Sequence, residues 1–472
     1  MISKKIEIKS PVDGSVLGEV VNSCVRDIPS FVSKARKAYN SWCFSAPHER
    51  SEILRSAAKK LISKQKGLAT LHTKESGKII LQSLKEISGA VGLLEANAHI
   101  GQYKSGTVAP TGGLPNGERD LTIIERVPLG IVVCVIPFNF PIELAFEKAS
   151  AAIVAGNVVL LKPPPQNPLA TIMAAQTLID SGLPKNVLQI LPGGNKFSEA
   201  LCSESGVDAV SLTGSVNAGI SLAKSTAKLL RPLHLELGGN GLAIVLEDSD
   251  IDYVISETLR GRLLMNGQAC AATKRIVVKE TIADEFTERL DSALGKINMD
   301  NPELPDSNLG PLINYESVLR VFSQVNSIIK QGGKLIRGNK ENGDAWYSPA
   351  IIDNVPKNAD VAIDEEIFGP VFPIIRVKTD QEAIKVANQS SLRLTAAVFS
   401  SDLEHAFRIA HQLDYGGIVI NGTNNYRPPV VPFGGVGLAG SGREGLGYTY
   451  DELTRSRFIA IRNIRPPSNT VK

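Results

Sequence analysis

The spacing of apolar residues changes along the chain, and the predicted secondary structure changes with it. Between residues 27 and 99, apolar side chains recur at intervals of three and four, most clearly over 30–42 and 49–62. This spacing predicts amphipathic helices. From residue 130 onward the pattern becomes one of short, continuous apolar runs, at 130–136 and 158–161 among others. Such runs are typical of strands that are buried on both faces of a parallel sheet.

The buried strands alternate with helical segments over most of the chain. A helix over 141–155 is predicted to begin at Pro141, which suits a first helical turn, and to end before a glycine. Further strands are predicted at 187–190 and 210–212, and a second alternating series extends from 242 to 421. The alternation predicts an α/β protein with a Rossmann-type open parallel sheet and a second α/β domain.

Two further strands are predicted outside these series, at 122–125 and at 455–462. A terminal strand with few local partners is a candidate for pairing across a subunit interface. We therefore expect a homo-oligomer that forms through the C-terminal strand.

Composition narrows the class of protein. The 472 residues are 43% hydrophobic and 21% charged, with a net charge of +3 and no block of basic residues. Those values are typical of a globular protein of two or three domains, and they give no reason to expect nucleic acid or a membrane surface as a partner. No apolar run approaches the roughly 18 residues that cross a bilayer, and the first residues lack a signal-peptide pattern.

Cysteine and histidine usage bears on the compartment and on metals. The five cysteines are widely spaced and form no Cys-x-x-Cys pair, which favours a reducing compartment, so we expect a cytoplasmic protein. The six histidines show no metal-ligand spacing with cysteine or carboxylate. We therefore expect no metal site.

Cys270 is the first candidate for chemistry. It follows a short Asn-Gly-Gln turn, lies between alanines and precedes the strand-like run 276–278. A cysteine presented on a tight bend suits a thiolate nucleophile that attacks a carbonyl carbon. The alternative is a small buried apolar side chain, which is the common case for a free cysteine.

Asn139 and Glu236 are the next candidates. Asn139 follows the buried strand at 130–136, at the carboxyl end where ligands bind in open α/β folds. Its amide could donate to an oxygen that gains negative charge, or the residue could be a helix cap. Glu236 lies within an apolar strand before paired glycines, where burial would make it a base near neutral pH. The alternative for Glu236 is a solvated face of an edge strand.

The segment 364–371 combines acids, an aromatic residue and a Gly-Pro stop in one turn. A carboxylate can accept from both hydroxyls of a ribose, and an aromatic ring can pack on a nicotinamide. Alone, the segment would be an ordinary surface turn.

At these four segments together, the chain resembles the aldehyde dehydrogenase superfamily. The resemblance extends from about residue 8 to the tail in the family's order and spacing, and it includes Glu75-Ser76-Gly77-Lys78, Leu161-Lys162-Pro163, Leu212-Thr213-Gly214-Ser215 and Pro432-Phe433-Gly434-Gly435. It implies an aldehyde dehydrogenase-like α/β fold with a small β oligomerisation arm. The implied domains are a dinucleotide-binding domain (1–118 and 129–238), a catalytic domain (239–445) and the arm (119–128 and 446–472).

The resemblance also implies roles for individual residues. Cys270 would be the nucleophile, and its backbone N–H with the Asn139 amide would form the oxyanion hole. Glu236 would activate water, and Lys148 would support the proton network. The implied cofactor-binding residues are Lys162 and Glu366 at the two riboses, Phe368 at the nicotinamide, Ser215 at the pyrophosphate, and the neighbouring Ile136, Pro137, Phe138, Pro165, Gly214, Leu237 and Gly238.

The implied cofactor is NADP or NAD. Many NAD-preferring members of the family have a glutamate where this chain has Pro165. Because nothing at that position would repel a 2′-phosphate, we expect NADP to be accepted, and the sequence leaves the preference between NADP and NAD open.

The implied substrate-binding residues are Asn139, Glu143, Glu147, Leu264, Ala269, Ala271 and Arg427. Succinate-semialdehyde dehydrogenases typically have an arginine at the Leu264 position, and several phosphonate- or phosphate-aldehyde enzymes have one at the Ala269 position. Since both cations are absent, we expect a small neutral aldehyde such as lactaldehyde or glyceraldehyde. Arg427 could still supply a cation, so the sequence leaves a semialdehyde dehydrogenase open. It also leaves open a coenzyme-A-acylating enzyme and a silent binding member of the fold.

Overall fold

The computed structural model describes residues 5–338 and 344–464. Its α-helices are α1 (Ile28–Trp42), α2 (Pro47–Ser63), α3 (Gln65–Ser76), α4 (Ile80–Tyr103), α5 (Pro141–Val154), α6 (Leu169–Ile179), α7 (Asn195–Ser203), α8 (Val216–Thr226), α9 (Ile251–Arg262), α10 (Ala283–Leu294), α11 (Tyr315–Lys330), α12 (Asp360–Ile363), α13 (Asp380–Asn388), α14 (Leu403–Ala410) and α15 (Tyr448–Glu452).

The strands are β1 (Lys5–Lys9), β2 (Val16–Val21), β3 (Gly106–Ala109), β4 (Leu121–Pro128), β5 (Ile131–Val135), β6 (Val158–Lys162), β7 (Leu188–Ile190), β8 (Ala209–Thr213), β9 (Leu233–Glu236), β10 (Leu242–Val245), β11 (Arg275–Lys279), β12 (Lys334–Arg337), β13 (Ala350–Asp353), β14 (Val371–Val377), β15 (Leu392–Arg393), β16 (Thr395–Phe399), β17 (Gly417–Ile420), β18 (Val436–Gly437), β19 (Gly440–Ser441) and β20 (Thr454–Ile461).

The first large sheet has the strand order β19-β9-β8-β5-β6-β7. Its strands are parallel apart from β19, which pairs antiparallel with β9 so that Gly440 lies opposite Glu236. Every residue of β5, β6 and β8 is buried, because helices cover both faces of the sheet. The continuous apolar runs at 130–136 and 158–161 are therefore central strands, as predicted.

The second large sheet has the order β12-β13-β14-β11-β10-β16-β17. It is parallel apart from the edge pair β12 and β13. The predicted α/β fold class with two open, mainly parallel sheets is confirmed. The turn with Cys270 leads directly into β11, so the candidate nucleophile lies at one end of this second sheet.

A third sheet contains β20, β4 and β3. Its antiparallel ladder pairs Thr454 with Pro128 and continues along β20 to Ile461 opposite Leu121. The predicted strands at 122–125 and 455–462 are both present. The expected boundary at residue 119 is too late for this sheet, because β3 pairs with β4 and lies within the range assigned to the dinucleotide-binding domain. The rest of the domain division stays a prediction, and its last eight residues lie outside the described ones.

The predicted helix over 252–264 ends earlier than expected, at Arg262. The physical reason is the backbone that follows, where Met265 and Asn266 have φ values of 51° and 57°. Right-handed helix cannot continue through left-handed residues. None of the helices in the described part of the chain combines the length and the apolar character needed to cross a membrane.

Candidate active site

A cavity of about 670 Å³ opens at the carboxyl ends of the first sheet. The last residues of β5, β6 and β8 line it, as expected for a ligand site in an open parallel sheet. All the predicted cofactor residues line this cavity, namely Ile136, Pro137, Phe138, Lys162, Pro165, Gly214, Ser215, Leu237, Gly238, Glu366 and Phe368. Asn139 and Cys270 line it as well.

A left-handed turn presents Cys270 to the cavity. Met265, Asn266 and Gly267 all have positive φ, and two consecutive non-glycine residues in this region are a source of strain. The Asn266 side chain stabilises the turn, since its Nδ2 donates to the carbonyl oxygens of Gly77 and Pro311 at 2.8 Å each. Strain that is held by such bonds is common where a side chain must take a fixed direction.

The Cys270 side chain is partly exposed to the cavity although protein surrounds it on the other sides. Burial raises the pKa of its thiol to about 11, and the Lys274 ammonium is the largest influence that opposes this rise. Among the described residues, no group accepts a hydrogen bond from the backbone N–H of Cys270. That donor is free for an oxygen at the thiol.

Asn139 lies beside the same turn. Its Nδ2 donates to the carbonyl oxygen of Gln268, two residues before the cysteine, at 3.0 Å. Its Oδ1 accepts from the adjacent Phe140 N–H at 3.0 Å. The role of a cap of α5 is taken by Glu86, whose Oε1 accepts from the Ile142 N–H at 2.9 Å. Asn139 is therefore not needed as the cap of α5, and its side chain lies at the cavity.

Lys78 fixes the main chain of Asn139. Its buried Nζ donates to the Asn139 carbonyl oxygen at 2.7 Å, bonds the Glu86 carboxylate, and lies 4.0 Å from the ring centroid of Phe140. No role for this lysine was predicted from the sequence, although its Glu-Ser-Gly-Lys segment is part of the resemblance. A lysine buried this completely needs partners inside the protein, and here they are the Glu86 carboxylate and the Asn139 carbonyl oxygen.

Glu236 is buried at the end of β9, and its Oε1 has no hydrogen-bond partner among the described residues. Burial raises the pKa of Glu236 well above its ordinary value, and the nearby Glu444 carboxylate raises it further. Arg427 and Lys148 act in the opposite direction. The solvated-edge interpretation is wrong, because β19 covers this edge of the sheet.

Lys148, Glu444 and Arg427 form a buried ion network next to Glu236. Lys148 Nζ bonds Glu444 and donates to Ser211 Oγ at 3.1 Å. Arg427 Nη2 donates to Glu444 Oε2 at 2.7 Å. Although burial alone would raise it, these two cations hold the pKa of Glu444 at about 2. The network therefore contains a permanent carboxylate next to a carboxyl that resists ionisation.

Most of the predicted substrate residues do not line the described cavity, and Asn139 is the exception among the described residues. The expectation for Glu147 is corrected, since it is 3% exposed and accepts from the Gly445 N–H at 3.0 Å and from Thr449 Oγ1 at 2.5 Å. It supports the start of α15. Ala269 and Ala271 are buried beside the cysteine, and Leu264 is half-buried. Burial raises the pKa of Glu143 to about 7, against the influence of Arg427.

The far end of the cavity has the features of a dinucleotide site. Lys162 is 3% exposed, and its Nζ has no hydrogen-bond or ion-pair partner among the described residues. Burial lowers the pKa of Lys162 to about 8. The Oγ of Ser198 and the Oγ1 of Thr213, which also line the cavity, are buried and unpaired among the described residues. The N-terminus of α8 begins after Ser215 and offers N–H groups to a phosphate. These residues fit a nicotinamide dinucleotide.

Glu366 and Phe368 lie at the near end, between the dinucleotide site and the cysteine. The Phe368 ring is 6.1 Å from that of Phe138, in an edge-to-face arrangement. The Glu366 carboxylate bonds Lys274 and accepts from the Gly239 N–H at 3.2 Å. Lys274 was not predicted from the sequence. In the sequence it follows the cysteine by four positions and directly precedes a second cation, Arg275.

Comparisons with known proteins agree with this geometry. The family model described as Aldehyde dehydrogenase family matches residues 2–459. A lactaldehyde dehydrogenase of Methanococcus maripaludis is 34% identical over 89% of this chain and 89% of its own length. The mitochondrial succinate-semialdehyde dehydrogenase of Arabidopsis thaliana is 30% identical over 97% of this chain and 86% of its own length. The crystal structure of an NADP-dependent glyceraldehyde-3-phosphate dehydrogenase from Bacillus halodurans, complexed with NADP, superposes with a TM-score of 0.94 at 30% identity, covering 97% of this chain and 96% of that one.

Proposed function

The chain belongs to the aldehyde dehydrogenase family and is an NAD(P)-dependent enzyme that oxidises an aldehyde to the acid, and we propose that Cys270, Asn139 and Glu236 carry the chemistry. The observation that supports this assignment is their convergence. The Asn139 amide bonds the turn that presents Cys270, and the Glu236 carboxyl acts on the pKa of the same thiol. Three residues that are distant in the chain therefore lie near one another, and two of them, Asn139 and Cys270, line the cavity.

The first step is addition of the Cys270 thiolate to the aldehyde carbon. The carbonyl oxygen gains negative charge, and the Cys270 N–H and the Asn139 Nδ2 are the donors that stabilise it. Lys78 and Glu86 keep Asn139 and the start of α5 in place, so these donors need no reorganisation during the step. The bound nicotinamide cofactor supplies the hydride acceptor. A thioester on Cys270 is the product of this half of the reaction.

Glu236 carries the second half. As a carboxylate it removes a proton from a water that attacks the thioester carbon, and the acid leaves as the Cys270 sulfur is released. The raised pKa of Glu236 matches a base near neutral pH better than an ordinary glutamate does. Lys148 and Glu444 lie next to it and provide a route for the proton to leave. The presence of this base favours the free acid over a coenzyme A ester as product.

We propose NADP as the preferred cofactor. Lys162 is a buried cation without a partner among the described residues, and Pro164, Pro165 and Gln166 beside it carry no negative charge. The exposed Glu199 is the carboxylate at this part of the rim. The solved relative from Bacillus halodurans is NADP-dependent, which is in keeping with this proposal.

We propose that the aldehyde is small and uncharged, as lactaldehyde and glyceraldehyde are. Arg427 is a cation that acts on the Cys270 thiol, but Glu444 pairs with it and the carboxyl groups of Glu143 and Glu147 also act on it. An anionic aldehyde would therefore find no unpaired positive charge there. The lactaldehyde dehydrogenase relative supports this choice, whereas the succinate-semialdehyde relative keeps an anionic semialdehyde as the second candidate.

A panel of aldehydes with both cofactors tests these proposals. We expect the highest kcat/KM with a neutral hydroxyaldehyde and NADP+, and the free acid as product by chromatography. Succinate semialdehyde as the best substrate would reject the substrate proposal. At least tenfold preference for NAD+ would reject the cofactor proposal, and a coenzyme A thioester as product would reject hydrolysis.

We also propose a cytoplasmic homo-oligomer. The support for association is the free edge of β20, where Phe458 is 72% exposed and Ile459 and Ile461 are also exposed. An apolar strand edge of this kind is rarely left in water. Light scattering of the intact chain is expected to give a dimer or a tetramer, and Phe458→Asp is expected to give monomers.

A further inference from the structure

Lys274 is a fully buried lysine at the near end of the cavity. It contacts both the turn that presents Cys270 and the residues that line the dinucleotide site. Its Nζ donates to the carbonyl oxygen of Cys270 at 2.9 Å and to that of Gly239 at 2.5 Å, and it bonds the Glu366 carboxylate. It also lies 5.1 Å from the ring centroid of Phe368. One ammonium group therefore joins the nucleophile's main chain to the carboxylate and the ring that line the dinucleotide site.

The chain around Lys274 is shaped to allow this arrangement. A side chain at Gly239 would place its Cβ 2.7 Å from Leu394 and 3.0 Å from the Cys270 carbonyl oxygen, so only glycine lets the two main chains approach. A Cβ at Gly238 would collide with the Glu366 carboxylate. The paired glycines after Glu236 thus make room for the contacts of Lys274.

We propose that Lys274 is a positioning residue that holds the Cys270 turn and the Glu366 carboxylate in one fixed arrangement and supplies the charge that most favours the thiolate. This inference rests on the proposed roles of Cys270 and Glu366. A cation that neither touches the aldehyde nor donates to the cofactor would set the reactivity of the nucleophile.

The charges at the thiol explain why this position matters. Burial disfavours the thiolate of Cys270, and Lys274 is the strongest influence in its favour, whereas Glu366 acts against it. A nearby charge of this kind shifts a titration by about 1–3 pH units when it lies within a few ångströms. The ion pair also keeps Glu366, with a side chain 20% exposed, directed toward the cavity.

The test is the pH dependence of Cys270 alkylation in the enzyme without cofactor. Iodoacetamide labels the thiolate, and mass spectrometry of the Cys270 peptide separates its rate from those of the other four cysteines. In Lys274→Met we expect the midpoint of the rate profile to rise by about one pH unit or more. In Glu366→Gln we expect the midpoint to fall, because the opposing carboxylate charge is gone.

Lys78→Met is the matched control. Lys78 is also fully buried, pairs with a glutamate and donates to a main-chain carbonyl oxygen, but that oxygen belongs to Asn139. Its removal costs the fold a comparable ion pair without removing a charge that acts on Cys270. We expect an unchanged alkylation midpoint in this variant.

Cofactor binding provides a second readout. Isothermal titration calorimetry of Lys274→Met is expected to show NADP+ binding weakened by about tenfold, since Glu366 is no longer held. ADP carries only the first ribose and the pyrophosphate, and its Kd is expected to stay unchanged. Lys274→Arg keeps the charge and is expected to restore most of the thiolate effect.

The experiments distinguish failure of the Lys274 proposal from failure of the proposed function. The proposal is rejected if the alkylation midpoint in Lys274→Met equals that of the wild type, if Lys78→Met shifts it equally, or if ADP and NADP+ weaken together. If Lys274→Met does not fold, the fall expected in Glu366→Gln decides, and a rise or no change there rejects the proposal. Acid formation by Cys270→Ala would instead reject the proposed function, whatever Lys274 does.

Discussion

The two ends of the cavity differ in whether their buried cations have anionic partners. At the aldehyde end, Lys148 and Arg427 both bond Glu444, so these two cations have an anionic partner inside the protein. At the dinucleotide end, Lys162 is buried and has no partner within the described residues. A buried unpaired lysine is unfavourable in the free protein. The aldehyde end is therefore complete by itself, whereas the dinucleotide end is completed by its ligand.

This contrast bears on proton transfer at one end and on the binding of anionic ligands at the other. A paired network can move a proton and tune a carboxyl group, but it has no net positive charge to attract an anion. An unpaired cation attracts phosphate and gains a partner when phosphate binds. Variants at the two ends can therefore separate the two kinds of site, and loss of the nucleophile is expected to be the most severe.

Cys270→Ala removes the proposed nucleophile, on which both halves of the proposed reaction depend. Without the thiolate no covalent intermediate can form, and we expect kcat/KM for aldehyde oxidation to fall by about 10⁴-fold or more. The measurement is steady-state NADPH formation. Cys43→Ala, at a partly exposed cysteine in the turn after α1, is the control and should keep wild-type activity. Comparable losses in the two variants would contradict the assignment of the nucleophile.

Glu236→Gln should slow release of the acid while leaving thioester formation possible. We expect kcat to fall by about 10²–10⁴-fold, with a burst of NADPH that matches the enzyme concentration. The pKa of Glu236 is raised, so the wild-type deacylation rate should increase with pH as the carboxyl ionises. The variant should show no such increase. A linear time course without a burst would mean that another group activates the water.

Lys162→Met should affect the dinucleotide end alone. We expect NADP+ to bind about 10–100-fold more weakly, because a charged hydrogen bond is lost. The pKa of Lys162 is about 8, so in the wild type the NADP+ affinity should decline as pH rises through that value and the ammonium loses its proton. Calorimetry between pH 6 and 9 measures both effects. A wild-type Kd for NADP+ that is independent of pH would contradict the proposed role of Lys162.

Arg427→Gln should hardly change selectivity. Because Glu444 already pairs with this arginine, the ratio of kcat/KM for glyceraldehyde to that for succinate semialdehyde should change by less than about threefold. Absolute rates are expected to drop in parallel, since Glu444 and Glu236 lose a neighbouring cation. A selective loss of the anionic aldehyde of more than about tenfold would show that Arg427 binds the substrate directly.

Local signals in the sequence were sufficient for the central strands and for the position of Asn139, whereas the other predicted cofactor residues followed from the family resemblance. The run at 130–136 is apolar throughout because β5 is covered on both faces, and Asn139 follows it at the edge where ligands bind. The role of Glu147 was not predictable in this way. Its partners, Gly445 and Thr449, lie near the other end of the chain, and no periodicity in α5 indicates them.

Long-range pairing limited the other predictions as well. β3 belongs to the sheet of the arm because it pairs with β4. No local pattern in the sequence indicates that these two strands pair. Lys274 was overlooked because a lysine before a strand is normally solvated. Only the folded chain places Glu366 and the Cys270 carbonyl oxygen at its ammonium group. The spacing of apolar residues predicts local secondary structure. Contacts between residues that are distant in the chain depend on how the elements are connected in the fold.

The antiparallel pair of β19 and β9 has a consequence for biosynthesis. Glu236 leaves the ribosome long before Gly440, the residue that later lies opposite it, and before Glu444 and Arg427. A nascent chain therefore carries its thiol and its amide donor while the hydrolytic base still lacks its surroundings. The described surroundings of Glu236 can therefore form only after residues 427–444 have been synthesised.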